Sequence, residues 1–373
     1  MTRVTATTLA DGRELLYFDE DGSPPRTPSP DARTLDARPA TPELRRDPLT
    51  GEWVTFAAAR QGRVHLPPAD LDPLAPQTPT NPSEIPDAYE VAVFENRSPA
   101  FGPALALRED AAVGDEDGVE RRRASVGRCE VVCFSPEHTG SFATQTVARA
   151  RTIVDAWAHR TAALSAMPGV EQVFVFENRG VEIGVTLHHP HGQIYAYPYV
   201  TPRTQQLLDA IRAHGGDLQG EVLDAERSGP RLVTETEHWV AYVPFAARWP
   251  LELHVQPRRH VPDLAALDDA ERDDLAALSL RLLGAVDALY PTATPYIAAW
   301  HQAPVGEGRD LVRLTWQITS PRRAADRLKF LAGSEAAMGA WVGDVTPEDG
   351  ADRLRRALAT ADAAQPERER AHA

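Results

Sequence analysis

Apolar positions along this chain recur with two spacings, and these alternate in the same order twice. Glu130-Val-Val-Cys-Phe134 is a short apolar run that stops at Ser135-Pro136-Glu137-His138, which predicts a strand followed by a turn. Val147, Val154, Trp157, Thr161 and Leu164 then fall at helical spacing. Gln172–Phe176 reads as a strand, a Gly-containing loop follows, and the stretch HPHGQIYAYPY from His189 reads as another strand. The second round begins at Leu253–Gln256, which ends at Pro257-Arg258-Arg259-His260. Asp268 and Glu271 make a capping-box pattern, and Leu275, Leu278, Leu282, Val286 and Leu289 share the face of the helix it starts. Tyr296–Trp300 and Leu314–Ile318 complete the unit as strands. The repeated order predicts an α+β fold of two divergent repeats packed into one body.

The flanks are simpler. Residues 1–44 predict an N-terminal strand and an arm, because residues 23–42 are dominated by proline and polar side chains. Residues 45–205 hold the first repeat and 206–345 the second. Residues 346–373 predict a helix that frays at its end. Asp115–Arg123 reads as a charged loop tip.

Composition narrows the function. A chain of 373 residues fits about two to three domain-sized units. Hydrophobic residues make up 42%, enough for a substantial core. The net charge of −15 argues against nucleic acid and anionic membrane as partners. No apolar run reaches membrane-spanning length, and MTRVTATTLADGR lacks an apolar signal region. Cys129 and Cys133, four apart in a strand, cannot readily bridge. Reduced, buried thiols in a cytoplasmic enzyme are the expectation.

The chemistry concentrates in Thr186–Pro198, TLHHPHGQIYAYP. A lone His-x-His is most often a surface pair or a metal clip. Neutral imidazole is also a good nucleophile and leaving group, able to carry an activated group through two displacements. In an extended segment His189, His191 and Gln193 would share one face. Gln193 can donate to a phosphoryl oxygen, but it is neither acid nor base at neutral pH.

His189-Pro190-His191-Gly192-Gln193, with Phe176-Glu177-Asn178-Arg179-Gly180 before it, resembles the galactose-1-phosphate uridylyltransferase family, the transferase branch of the histidine-triad superfamily. The resemblance runs from about Arg45 to Glu335. It implies two histidine-triad-like repeats, each an antiparallel sheet with a packed helix. It implies exchange of uridylyl between UDP-glucose and galactose 1-phosphate, with His191 as nucleophile and Gln193 and His189 supporting it. Phe94 and Asn96 match uracil and ribose contacts, and Asn178 a phosphate contact. Gly184 and Thr186 match a loop that offers backbone amides to phosphate. Arg45–Trp53 resembles the family's RRxPLTGxW stretch, after which Arg60 and Arg63 would neutralise the diphosphate. Lys329-Phe330-Leu331-Ala332-Gly333-Ser334-Glu335 resembles its sugar segment. Lys329 and Phe330 would seat the sugar nucleotide, and Glu335 would bind hexose hydroxyls. The resemblance also implies a homodimer in which the arginine loop and this segment complete a neighbour's site.

The sequence departs from the family in its metals. A structural zinc is held there by CxxC, a histidine after the SPxH turn and the first histidine of HPH. His138 and His189 match the last two, but Asp72 and Ala75 stand in place of the thiolates. With His65 as the candidate fourth ligand, the set predicts weak zinc or none, and no cofactor is required. At a second family metal site His301 remains while Leu207, Thr315 and Gln317 replace the other ligands, which predicts its absence. Two other functions fit the motifs less well: a nucleotidyltransferase or phosphorylase with an adenylyl donor, and a nucleotide-binding module without catalysis.

Overall fold

A computed structural model describes residues 2–62, 65–103 and 118–372, with side chains described through residue 363. Arg63 lies outside the described residues. In chain order the strands are β1 (Arg3–Thr8), β2 (Glu14–Asp19), β3 (Glu43–Arg46), β4 (Trp53–Phe56), β5 (Val91–Glu95), β6 (Arg122–Ala124), β7 (Arg128–Cys133) and β8 (Gln172–Arg179). They continue with β9 (His191–Tyr197), β10 (Leu232–Glu235), β11 (Trp239–Tyr242), β12 (Leu251–Pro257), β13 (Tyr296–His301), β14 (Thr315–Ser320), β15 (Arg322–Ala324) and β16 (Arg327–Leu328). The helices are α1 (Val147–Ser165), α2 (Pro202–His214), α3 (Leu218–Arg227), α4 (Asp269–Ala288), α5 (Gly333–Met338) and α6 (Pro347–His372).

Both predicted units form, and they join edge to edge. The first contributes β5-β7-β9-β8 and the second β13-β14-β12-β11 to one 11-stranded sheet. The seam is the antiparallel pair β8·β13, where Asn178 faces Ile297 and Glu177 faces Ala298. Both long helices cover the same side. Ile153, Val154 and Trp157 of α1 share a buried cluster with Leu275, Leu278, Leu282 and Val286 of α4. Trp300 stacks on Trp316 at 5.4 Å and also touches Trp157 and Trp239. Each such ring contributes on the order of 4 kcal/mol of transfer free energy by buried area. Val147 departs from the predicted helix face: it sits in the first turn and is exposed. The predicted capping box of α4 is present, with Asp268 accepting from Glu271 N and Glu271 returning a bond to Asp268 N.

Other differences have local causes. The single N-terminal strand is a hairpin, β1·β2, that extends the sheet beyond β5. The arm has no regular structure, as read, yet Arg26 pairs with Asp19, Arg33 with Asp31, and Arg38 with Glu95. Arg122 and Arg123, expected in a loop tip, lie in β6 and pair with β3. Residues 115–117 of that tip lie outside the described residues. Helix α6 spans Pro347–His372. Cys129 and Cys133 are buried on β7, and no disulfide joins them.

Candidate active site

The face of the sheet away from α1 and α4 carries the candidate chemistry. Along β9, Gly192, Ile194 and Ala196 are buried, and Ile194 and Ala196 enter the helix-covered core. His191, Gln193, Tyr195 and Tyr197 therefore point to the opposite side. Gly192 lies close to its neighbours: a Cβ there would meet Phe134 Cζ at 3.0 Å and Phe176 O at 3.1 Å, so a larger residue would have to push them back.

His191 is half-buried and lines a 180 Å³ cavity with Asn178, Gly180, Ser141 and Pro190. Its Nδ1 donates to the backbone carbonyl of His189 at 2.7 Å. A carbonyl can only accept, so the proton sits on Nδ1 and neutral His191 keeps its lone pair on Nε2. Burial lowers the pKa of His191 below the ordinary imidazole value, and the bond to the His189 carbonyl acts in the other direction. The ring is thus held in one tautomer and favours its neutral form.

Gln193 lies one side-chain step along the strand. Tyr195 Oη donates to Gln193 Oε1 at 3.5 Å, and Arg60 Nη2 donates to Tyr195 Oη at 3.3 Å. Arg60 Nη1 is buried without a hydrogen-bond partner among the described residues. An unmatched buried guanidinium nitrogen is costly, and an anionic oxygen would satisfy it. Tyr195 was not foreseen, although period two alone would have placed it beside Gln193. Arg60 thus meets Tyr195 of its own chain. The amide of Leu66 fastens the loop by donating to Thr186 O at 2.8 Å. Leu66 takes the left-handed backbone, φ 46°, to do so.

His189 differs from its expected place. It precedes β9, only 2% of it is exposed, and although it borders the same cavity its ring is engaged by other partners. Nδ1 donates to Asp72 Oδ2 at 2.7 Å, while Nε2 lies 2.8 Å from the Ser135 carbonyl and 3.0 Å from the Tyr89 hydroxyl. His138 Nδ1 donates to the same Asp72 oxygen at 2.8 Å. Burial would raise the Asp72 carboxyl, but the hydrogen bond and charge of His189, with the Leu74 amide and His138, hold it down to about 2.

The residues matched to zinc ligands do not fit zinc. His138 and His189 both turn Nδ1 to one oxygen of Asp72, and among the described residues no thiolate completes a four-ligand set with them. Ala75 offers no donor, and His65 is exposed. Among the described residues, no group of three or more His, Cys, Asp and Glu side chains could hold a metal ion. At the second family position, Gln317 bonds to His254 at 2.6 Å, and Gln256 donates to Thr315 at 2.7 Å. Leu207 packs in an apolar cluster with Leu208 and Ile211. Burial, with Arg203 and His254, pushes His301 down to about 3.

The remaining candidates divide. Asn178 lines the His191 cavity. The Gly184 amide is spent on Val181 O at 3.0 Å, and Thr186 offers its carbonyl to Leu66. Phe94 shares a cross-strand row with Val131 and Gln193, but it is 3% exposed and packs in the core with Leu15 and Tyr17. Asn96 Oδ1 accepts from Ser98 N at 2.9 Å. Lys329 and Phe330 line a separate 170 Å³ cavity with Trp249 and Ile183. Lys329 Nζ donates to Arg248 O at 3.1 Å and lies 3.6 Å from Glu335.

Residues 34–201 match the family described as galactose-1-phosphate uridyl transferase, N-terminal domain, and residues 205–366 match its C-terminal domain. The galactose-1-phosphate uridylyltransferase of Streptomyces lividans is 44% identical over 372 residues, covering 94% of this chain and 97% of that protein. A solved uridylyltransferase structure is 30% identical with a TM-score of 0.75, covering 85% of this chain and 99% of the other. An ADP-glucose phosphorylase from Arabidopsis thaliana shares the fold, at 24% identity and TM-score 0.62, over 84% of this chain and 98% of the other.

Proposed function

This chain belongs to the galactose-1-phosphate uridylyltransferase family, and from that premise we propose that it passes a uridylyl group from UDP-glucose to galactose 1-phosphate through a uridylyl–His191 intermediate. The observation that carries the reading is the 2.7 Å bond from His191 Nδ1 to the His189 carbonyl, which leaves Nε2 as the attacking atom.

In the first displacement Nε2 attacks the α-phosphorus of UDP-glucose. The P–N bond forms as the bond to the β-phosphate oxygen breaks, and glucose 1-phosphate leaves. In the second, a phosphate oxygen of galactose 1-phosphate attacks the same phosphorus, the P–N bond breaks, and neutral His191 returns with UDP-galactose. Tyr195 occupies Gln193 Oε1, which turns the amide N–H groups toward phosphoryl oxygens. Arg60 supplies positive charge and an unmatched donor to the diphosphate. Asn178 faces the same cavity as a phosphate contact. Gln193 lacks a titrating proton for activating water, which favours transfer over hydrolysis.

Lys329, Phe330 and Glu335 act on a neighbouring subunit's sugar site in a homodimer. Their segment lines a second cavity with Glu182 and Ile183, and Phe330, Leu331 and Met338 are 75%, 43% and 80% exposed. Phe94, Asn96, Gly184 and Thr186 shape the nucleoside and phosphate ends through the strands and turns they hold. No described helix is long and apolar enough to cross a membrane. Unbridged buried thiols accord with a cytoplasmic setting.

The test supplies UDP-glucose or ADP-glucose with galactose 1-phosphate and follows the nucleotide sugar formed. UDP-galactose from the first donor, with little product from the second, is expected. Faster transfer from ADP-glucose would overturn the uridylyl assignment.

A further inference from the structure

We infer that Asp72 replaces the family's structural metal with a hydrogen-bonded clamp, and that this clamp positions the nucleophile. The inference rests on His191 being that nucleophile. One oxygen of the Asp72 carboxylate receives both His138 Nδ1 and His189 Nδ1, at 2.8 and 2.7 Å, and so joins the two histidines that a metal would join. The other oxygen accepts from Leu74 N at 2.9 Å, which fixes the carboxylate to its own loop. On the far side of the His189 ring, Tyr89 Oη lies 3.0 Å from Nε2 and 2.7 Å from the carbonyls of Leu74 and Ser135. With its ring held on both sides, His189 cannot swing, and its carbonyl stays aimed at His191 Nδ1. Asp72 and Tyr89 are therefore positioning residues: they act on tautomer and ring angle through His189.

A loop without thiolates still has to be held, and the N-terminal hairpin holds it. Leu9, Leu15 and Tyr17 pack with Leu74, Ile85 and Tyr89. Arg13, fully buried, reaches Glu84 at 2.6 Å and the Glu95 carbonyl at 2.9 Å. Gln77 of the loop donates to Asp31 of the arm at 3.3 Å. The hairpin and arm thus brace the segment in which Asp72 and Ala75 stand where the family's thiolates would be. Outer partners of this kind typically contribute about 10–100-fold to activity.

The test compares wild type, Asp72→Asn and the double variant Asp72→Cys/Ala75→Cys. Three quantities are measured: bound zinc after gel filtration, the single-turnover rate of His191 uridylylation at saturating UDP-glucose, and the ¹⁵N shifts of the His191 ring. Wild type should hold well under one zinc per chain and keep its rate in chelator. Asp72→Asn should slow uridylylation about 10–100-fold with KM little changed, and the His191 ring should become a mixture of tautomers. The double variant should bind one zinc, regain much of the rate, and lose it to chelator. Stoichiometric zinc in wild type would overturn the clamp. So would an Asp72→Asn protein with an unchanged rate and a single Nδ1–H tautomer. Zinc content and ring shifts need no turnover. They judge the clamp even if wild type fails to take up uridylyl, a result that would instead sink the transfer reading.

Discussion

His191 and His189 are two residues apart and joined by one bond, His191 Nδ1 to the His189 carbonyl at 2.7 Å. The first histidine of the motif therefore works through its backbone. Its ring is turned to Asp72, while its carbonyl sets which nitrogen of the second histidine keeps its lone pair.

Gln193→Ala should slow uridylyl transfer by roughly a hundredfold, the usual loss when a donor to developing phosphoryl charge is removed. Steady-state turnover with galactose 1-phosphate checks it. Unchanged turnover would take Gln193 out of the site. Tyr195→Phe, which frees Gln193 Oε1 and removes a contact of Arg60, should lower kcat more mildly.

The pH profile follows from burial. His191 has a pKa below the ordinary value of 6.5, so its neutral form persists to lower pH. The acid limb of kcat/KM should lie below pH 6.5, with activity complete at neutrality. A limb centred above 6.5 would show that the ring is not desolvated as described.

Glu177 makes a separate prediction about stability. Burial raises its carboxyl from 4.5 to about 7, although a bond from Tyr296 and the charge of Arg179 oppose the shift. Between pH 4.5 and about 7 the folded chain holds a proton that the unfolded chain has lost, so stability falls as pH rises through that window. Glu177→Gln removes this effect. It should raise Tm at pH 8 by the equivalent of about 1 kcal/mol or more, and by much less at pH 5. Melting curves at the two pH values decide it; equal gains at both would contradict the assignment.

Shared sites can be tested by mixing. Inactive His191→Ala and inactive Glu335→Gln subunits should regain activity together, because one heterodimer site has both an intact nucleophile and an intact sugar segment. No recovery despite proven subunit exchange would place the whole site in one chain.

Much of this was legible in the sequence, where the signal was periodic or local. The α4 capping box, the repeated strand order and the shared face of His191 and Gln193 all follow from spacing. The ring direction of His189 did not, because Pro190 ends the extended pattern before β9 begins and long-range partners then decide. Asp72 drew notice only as a poor metal ligand. Its role as a double acceptor depends on His138 and His189, 66 and 117 residues away. The contact of Arg60 with Tyr195 spans 135 residues and has no local signature. Nor could the N-terminal hairpin be tied to the 66–90 loop before the sheet order was known.

The most direct measurement is the fate of the uridylyl group. Wild-type protein is incubated with uridine-labelled UDP-glucose without acceptor, digested at alkaline pH and mapped by mass spectrometry. One acid-labile uridylyl group on His191 Nε2, discharged on adding galactose 1-phosphate and absent from His191→Ala, is the predicted result. Normal labelling of His191→Ala, or turnover without any protein-bound uridylyl, would contradict the account.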